Sequence, residues 1–201
     1  MKGKRRISVR SGEKYVFIDR DGVVNKDPAG WTEYGYVTRW EDFVFLPGVL
    51  DAFKKFAESG YSAVIITNQQ CVGKGYLSEN ELDLIMSRMK NEVEEHGGRI
   101  AGIFYCPHLK EEKCACRKPD DGLFRMAAEK LGISDFSGSF FIGDTSRDVA
   151  AGKKARLKTI VVLSGKSSRE DVAGFGVKPD YVCEGLLEAA DRVLEHENNS
   201  V

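Results

Sequence analysis

Residues 15–22 read Tyr-Val-Phe-Ile-Asp-Arg-Asp-Gly, an apolar run that breaks into two carboxylates and a glycine. Four consecutive apolar residues are typical of a strand buried on both faces, as in a parallel sheet covered by helices. Asp19 and Asp21 follow this strand directly, and buried carboxylates are costly unless a cation or a substrate uses them. A polar turn is the alternative for this stretch taken alone, because Asp and Gly are common in turns.

Further apolar runs alternate with helix-patterned segments along the rest of the chain. The predicted strands are 15–18, 62–66, 100–105, 140–142 and 159–163, with a short edge strand at 181–182. The predicted helices are 49–58, 79–96, 122–131, 147–155 and 185–196. This alternation predicts an α/β fold with a parallel sheet and helices on both faces. Segments 23–46 and 106–120 fit no regular element, and long loops in compact domains are often functional.

Length and composition limit the class of protein. The 201 residues, 42% hydrophobic and 30% charged, predict a single globular domain over residues 1–201, with residues 1–14 as a basic tail. A net charge of −1 argues against a nucleic-acid partner, and no apolar run is long enough to span a membrane. Five cysteines without a signal peptide favour a reducing, cytoplasmic location.

Polar residues also follow the second and fourth predicted strands. Thr67 and Asn68 end the second, where a hydroxyl and an amide can bind phosphate oxygens, although a capped turn is an equal alternative. Asp144 ends the fourth, and Asp148 follows in a helix start, where acidic residues are common. Because the carboxyl ends of parallel strands share one edge of a sheet, we expect these groups to converge with the first acidic pair. Their oxygens suit Mg²⁺.

Three thiols and one imidazole occur within one short predicted loop: Cys106, His108, Cys114 and Cys116. This set matches a closed, structural Cys₃His zinc site, although the inner spacing is tighter than in common zinc fingers. The alternative is a reduced or disulfide-linked surface loop. Arg117 and Lys118 follow at once, so the zinc would fix a lysine able to neutralise a nucleophile and a transferring phosphoryl group.

Four segments together resemble the haloacid dehalogenase-like phosphatase superfamily: 17–22, 66–69, 116–119 and 142–148. The resemblance implies a Rossmann-like sheet without a large cap domain. It implies that Asp19 is the nucleophile and Asp21 the general acid and base. Mg²⁺ would be held by the Asp19 and Asp144 carboxylates and by the backbone carbonyl of Asp21, and Asp148 would support these ligands without touching the metal. Thr67 and Lys118 would position the phosphoryl group.

The zinc loop resembles a subgroup that includes D-glycero-D-manno-heptose 1,7-bisphosphate 7-phosphatases and histidinol-phosphate phosphatases. Tyr36 and Lys74 favour the heptose enzymes, whereas the short His108–Cys114 spacing and the insertion around Pro28 favour the histidinol enzymes. We predict the heptose activity, a monomer, and substrate contacts from four residues: Tyr36, Asn68, Lys74 and Arg117. A 3′-phosphatase acting on nucleic acid and a non-enzymatic zinc-stabilised binding protein are the other hypotheses.

Overall fold

The computed structural model describes residues 14–198, in which six strands form one parallel sheet. The strands are β1 (Lys14–Ile18), β2 (Tyr61–Asn68), β3 (Ile100–Cys106), β4 (Phe140–Gly143), β5 (Lys158–Val162) and β6 (Tyr181–Cys183). Their order across the sheet is β3-β2-β1-β4-β5-β6. The chain adds β2 and β3 on one side of the central strand β1 and then crosses to add β4, β5 and β6 on the other side. Such a crossing opens a crevice at the carboxyl edge.

Helices cover both faces of this sheet. They are α1 (Val49–Glu58), α2 (Glu79–Glu95), α3 (Gly122–Leu131), α4 (Ser146–Lys154), α5 (Arg169–Ala173) and α6 (Leu186–Asn198). Helices α1, α2 and α6 share one core cluster with Val16 and Ile18, while α3 and α4 share the opposite cluster with Phe17. Successive β1 side chains therefore enter different cores, as the continuous apolar run predicts. Among residues 14–198, none of the helices combines the length and apolarity that crossing a bilayer requires.

The predicted fold class is confirmed, and each predicted strand and helix is present with its ends shifted by two residues at most. Helix α5 was missed, and the two predicted loops contain short 3₁₀ turns at Trp40–Asp42 and Lys110–Glu112. Assigning Lys14 to the tail was wrong, because it is the first residue of β1. The rest of the predicted basic tail, residues 1–13, lies outside the described residues.

Strand register brings the polar strand ends together. Ile18 pairs with Ile65 of β2 on one side and with Ile142 of β4 on the other. The amide of Asp19 continues this alignment by donating to the carbonyl oxygen of Ile142 at 2.9 Å. The residues that follow β1, β2 and β4 therefore meet at one point on the carboxyl edge.

A capping box formed by Ser78 and Glu81 starts α2. Ser78 Oγ accepts from the Glu81 amide at 3.3 Å, and Glu81 Oε2 accepts from the Ser78 amide at 2.7 Å.

Ser78→Ala is expected to lower the free energy of unfolding by about 1 kcal/mol, seen as a fall of about 2–4 °C in the thermal midpoint for a chain of this size. Ser87→Ala, the same change in the exposed middle of α2, should leave the midpoint unchanged or slightly higher. Equal midpoint shifts in both variants would contradict the capping role.

Candidate active site

Lys118 and Asp19 form a buried ion pair at the end of β1. Lys118 Nζ lies 2.7 Å from Asp19 Oδ2 and 2.6 Å from Asp148 Oδ1, and it donates to the carbonyl oxygen of Ile66 at 3.0 Å. Burial disfavours the charged amine, but the two carboxylates outweigh it and raise the pKa of Lys118. A fixed positive charge therefore sits beside the Asp19 carboxylate.

Asn68 holds the backbone of Lys118 in place. Asn68 Oδ1 accepts from the Lys118 amide at 3.0 Å, and Asn68 Nδ2 donates to the Lys118 carbonyl oxygen at 3.2 Å. The last residue of β2 thus ties down a loop residue 50 positions later in the chain. Both polar groups of this side chain are used within the protein, while its predicted contact with substrate stays a prediction.

Three buried carboxylates gather where β1 and β4 end. Asp19, Asp144 and Asp148 each offer an oxygen, and these oxygens all lie within 4.8 Å of one another. Burial, aided by the charges of Asp148 and Asp19, raises the pKa of Asp144 to about 8. Burial also raises the pKa of Asp19 to about 6, although Lys118 opposes it. The cluster is therefore short of positive charge, and its hard oxygen donors fit Mg²⁺.

Asp148 is held by partners on both of its oxygens. Its Oδ1 contacts Lys118, and its Oδ2 accepts from the Thr145 amide at 3.0 Å and from Thr145 Oγ1. Burial alone would raise the pKa of Asp148, but the Lys118 charge outweighs burial and lowers it. With both oxygens engaged, Asp148 is better placed to support the other carboxylates than to give up an oxygen to a metal.

Two glycines close tightly around Asp144. A Cβ atom at Gly22, or one at Gly165, would clash with Asp144 Oδ2. Gly22 also has a φ of +83°, which L side chains rarely adopt. The amide of Lys166 then donates to Asp144 Oδ2 at 2.8 Å. The loops after β1 and β5 thus fix the carboxylate by backbone contact.

Asp21 is surrounded by hydrogen-bond donors. Arg20 contacts it through Nε at 3.1 Å and through Nη2 at 2.7 and 2.8 Å, while Asn25 Nδ2 and Gln69 Nε2 each donate at 2.9 Å. Burial would raise the pKa of Asp21, but the charge and hydrogen bonds of Arg20 outweigh it and lower the pKa. The Asp21 side chain lies outside the three-carboxylate cluster, so a metal contact from this residue would use its backbone carbonyl.

Sequence reasoning missed Gln69 and Asn25, which are fully buried polar residues. Gln69 Nε2 also donates to Thr67 Oγ1 at 3.0 Å, so it joins Thr67 to Asp21. A signal was present, because Gln69 directly follows Thr67 and Asn68 in the second motif. A buried amide needs partners, and a carboxylate and a hydroxyl supply them here.

A cavity of about 350 Å³ opens over these groups. All four predicted substrate residues line it: Tyr36, Asn68, Lys74 and Arg117. Sequence reasoning missed other lining residues, among them Gln70, Arg147 and Lys166. The cavity is therefore built from acidic groups at its base and several basic groups on its walls.

One wall of the cavity is a connected polar and aromatic surface. Arg117 Nη2 donates to Gln70 Oε1 at 3.0 Å, and the Gln70 amide hydrogen-bonds the Tyr36 hydroxyl. Lys74 Nζ lies 5.3 Å from the ring centre of Tyr36 and 5.7 Å from that of Tyr76, within cation–π range. The predicted substrate residues of this wall are thus held by one another.

The four predicted zinc ligands also meet, at the end of β3. The sulfur–sulfur distances are 3.5 Å for Cys106–Cys114, 3.2 Å for Cys106–Cys116 and 3.5 Å for Cys114–Cys116. His108 Nδ1 lies 3.5 Å from Cys106 Sγ and 3.3 Å from Cys116 Sγ. Tetrahedral zinc bound at ~2.3 Å would place its sulfurs roughly 3.8 Å apart, so the donor set fits. Burial raises the pKa of the Cys106 thiol, and a cation would counter this by stabilising the thiolate.

Comparisons with known proteins agree with this geometry. A family model described as HAD-hydrolase-like matches residues 115–189. The D-glycero-beta-D-manno-heptose-1,7-bisphosphate 7-phosphatase of Haemophilus ducreyi is 38% identical over 164 residues, covering 78% of this chain and 86% of the relative. The enzyme of the same name from Pasteurella multocida is 37% identical over 184 residues, covering 88% and 94%.

A solved structure extends the likeness to three dimensions. The D,D-heptose 1,7-bisphosphate phosphatase from B. bronchiseptica, crystallised with magnesium and phosphate, superposes with a TM-score of 0.82 at 32% identity. The match covers 91% of this chain and 99% of that one. This chain therefore belongs to the haloacid dehalogenase-like phosphatases, in the family that contains the heptose 1,7-bisphosphate 7-phosphatases.

Proposed function

We propose that this phosphatase removes the 7-phosphate of D-glycero-D-manno-heptose 1,7-bisphosphate through a phosphorylated Asp19. The names of the relatives support the substrate, and the Lys118–Asp19 pair at the base of the cavity supports the chemistry. A monomeric state and a cytoplasmic location stay predictions from the sequence.

Two steps on Asp19 account for hydrolysis. In the first, an Asp19 carboxylate oxygen attacks phosphorus while the bond from phosphorus to the sugar oxygen breaks, and Asp21 gives that oxygen a proton. In the second, Asp21 takes a proton from water as the water attacks the phosphorylated Asp19, which releases phosphate and restores the carboxylate. Lys118 and Thr67 hold the phosphoryl oxygens in both steps.

The hydrogen-bond donors around Asp21 determine which of its protonation states is favoured. Arg20, Asn25 and Gln69 all donate to its oxygens, which favours the carboxylate form needed to activate water. Asp21 must therefore take up a proton and give up at least one of these hydrogen bonds before it can protonate the sugar oxygen.

The two metal sites have separate roles in this proposal. Mg²⁺ held by Asp19, Asp144 and the Asp21 carbonyl would neutralise charge on the phosphoryl oxygens. Zinc held by the Cys₃His cluster would have no open coordination position, so its role is to fix the loop that ends in Arg117 and Lys118.

The charge of the cavity walls favours a bisphosphate over histidinol phosphate. Besides the four carboxylates and Lys118, the charged side chains that line the cavity are all basic: Lys74, Arg117, Arg147 and Lys166. These groups attract a second phosphate, whereas they repel the ammonium group of histidinol phosphate. This wall charge is the observation that carries the choice of substrate.

A direct comparison of the two substrates tests this choice. With Mg²⁺ present, kcat/KM for the heptose bisphosphate is expected to exceed that for histidinol phosphate about 100-fold, the effect of one or two charge-assisted contacts. Phosphorus NMR should show loss of the 7-phosphate with the 1-phosphate retained. A preparation of Asp19→Asn run in parallel excludes a contaminating phosphatase. Faster hydrolysis of histidinol phosphate would overturn the assignment.

A further inference from the structure

The basic side chains that line the cavity differ in how fully the protein already uses them. Lys118 is buried between two carboxylates, and Lys166 Nζ pairs with Asp27 Oδ2 at 3.1 Å. Arg117 donates through Nη1 to the His108 carbonyl oxygen at 3.2 Å and through Nη2 to Gln70. Lys74 lies over two tyrosine rings. Each of these four cations therefore has a partner in the fold.

Arg147 is the exception among the described residues that line the cavity. It is exposed on the first turn of α4, and its side chain has no hydrogen bond, ion pair or ring contact within residues 14–198. The neighbouring carboxylates do not need it: Asp148 is held by Lys118 and Thr145, and Asp144 Oδ2 accepts from the Lys166 amide. The Arg147 guanidinium is thus available to a ligand.

Exposure distinguishes Arg147 from the buried cation beside Asp19. Lys118 already supplies the positive charge beside Asp19, and it does so from a buried position. Arg147 is exposed and lines the same cavity, so it is accessible to a part of a substrate that extends toward solvent. A planar guanidinium with paired donors matches a phosphate group better than a neutral sugar hydroxyl.

We propose that Arg147 is a specificity-determining residue that binds the second, non-reacting phosphate of a sugar bisphosphate. This inference rests on the proposed function and deepens it, because it names a residue by which the enzyme tells a bisphosphate from a monophosphate.

The test is the selectivity of the enzyme for heptose 1,7-bisphosphate over heptose 7-phosphate, measured as the ratio of the two kcat/KM values. Arg147→Gln is expected to lower this ratio about 10- to 100-fold, the size of a charge-assisted hydrogen bond. The loss should appear mainly as a higher KM for the bisphosphate, because the contact is equally present before and during reaction. Arg147→Lys should lie between the wild type and Arg147→Gln, because it keeps the charge without the paired donors.

Arg125→Gln is the matched control, since Arg125 is an exposed arginine on neighbouring α3 outside the cavity. It should keep the wild-type ratio. An unchanged ratio in folded Arg147→Gln, with the wild type still preferring the bisphosphate, overturns the role of Arg147 and leaves the proposed function standing. An equal loss on both substrates also overturns it, because Arg147 would then serve the reacting phosphate. A wild type without preference for the bisphosphate overturns both the inference and the proposed substrate.

Discussion

Asp19→Asn is expected to lower turnover by at least about 10⁴-fold, since loss of a nucleophile removes the covalent route that the rest of the site serves. The fold should survive the change. Burial raises the pKa of Asp19 to about 6, so the folded protein holds this charge at a cost, and a neutral amide of the same shape removes that cost. Lys118 keeps Asp148 as its partner. The thermal midpoint should therefore stay within about 4 °C of the wild type.

Phosphate release under saturating Mg²⁺ and circular dichroism melting together check this expectation. Asp42→Asn is the matched control, because Asp42 is also a buried aspartate but pairs with Arg39 outside the cavity. It should keep activity close to wild type. Turnover of folded Asp19→Asn within tenfold of the wild type would remove the nucleophile assignment.

Cys116→Ser is expected to abolish stoichiometric zinc binding and to lower the thermal midpoint by about 10 °C or more. Structural zinc is worth about 10–16 kcal/mol in small zinc-dependent folds. Three of the four zinc ligands lie in the loop after β3, outside the sheet, so only the share of this free energy that orders the loop is at risk. Each kcal/mol moves the midpoint by about 2–4 °C. Turnover should fall as well, because Lys118 follows the mutated cysteine by two positions.

Metal analysis of purified protein measures the zinc content directly. Wild type should hold about one equivalent of zinc, and Cys183→Ser should hold the same amount, because Cys183 is buried in β6 away from the cluster. Fully folded wild-type protein with well under one equivalent would count against the zinc site.

The sequence predicts the sheet well because its signals are local. Apolar runs precede Asp19, Thr67 and Asp144, and each run predicts a buried strand and the point where it ends, independently of distant residues. Helix α5 was missed since five residues are too few to show a helical period. The capping box at its start, formed by Ser168 and Asp171, is nevertheless visible in the sequence.

The sequence does not predict which distant segments contact one another in the site. Asn68 turns toward the backbone of Lys118, and Lys166 reaches Asp27 from the other end of the chain. Arg147 reads in sequence as an ordinary exposed cation in a helix start, and only the sheet topology places that helix start at the cavity. Local pattern gives the identity of such groups but not their partners.

The tight approach of Gly22 and Gly165 to Asp144 has a consequence for engineering. Transplanting only the acidic side chains onto another scaffold would not reproduce this centre, because bare main chain from two separate segments forms the walls that hold the carboxylate. A designer would have to copy those two crossing backbones first and choose the acidic groups afterwards. For the same reason, random mutagenesis should find these two glycines among the least replaceable positions of the molecule.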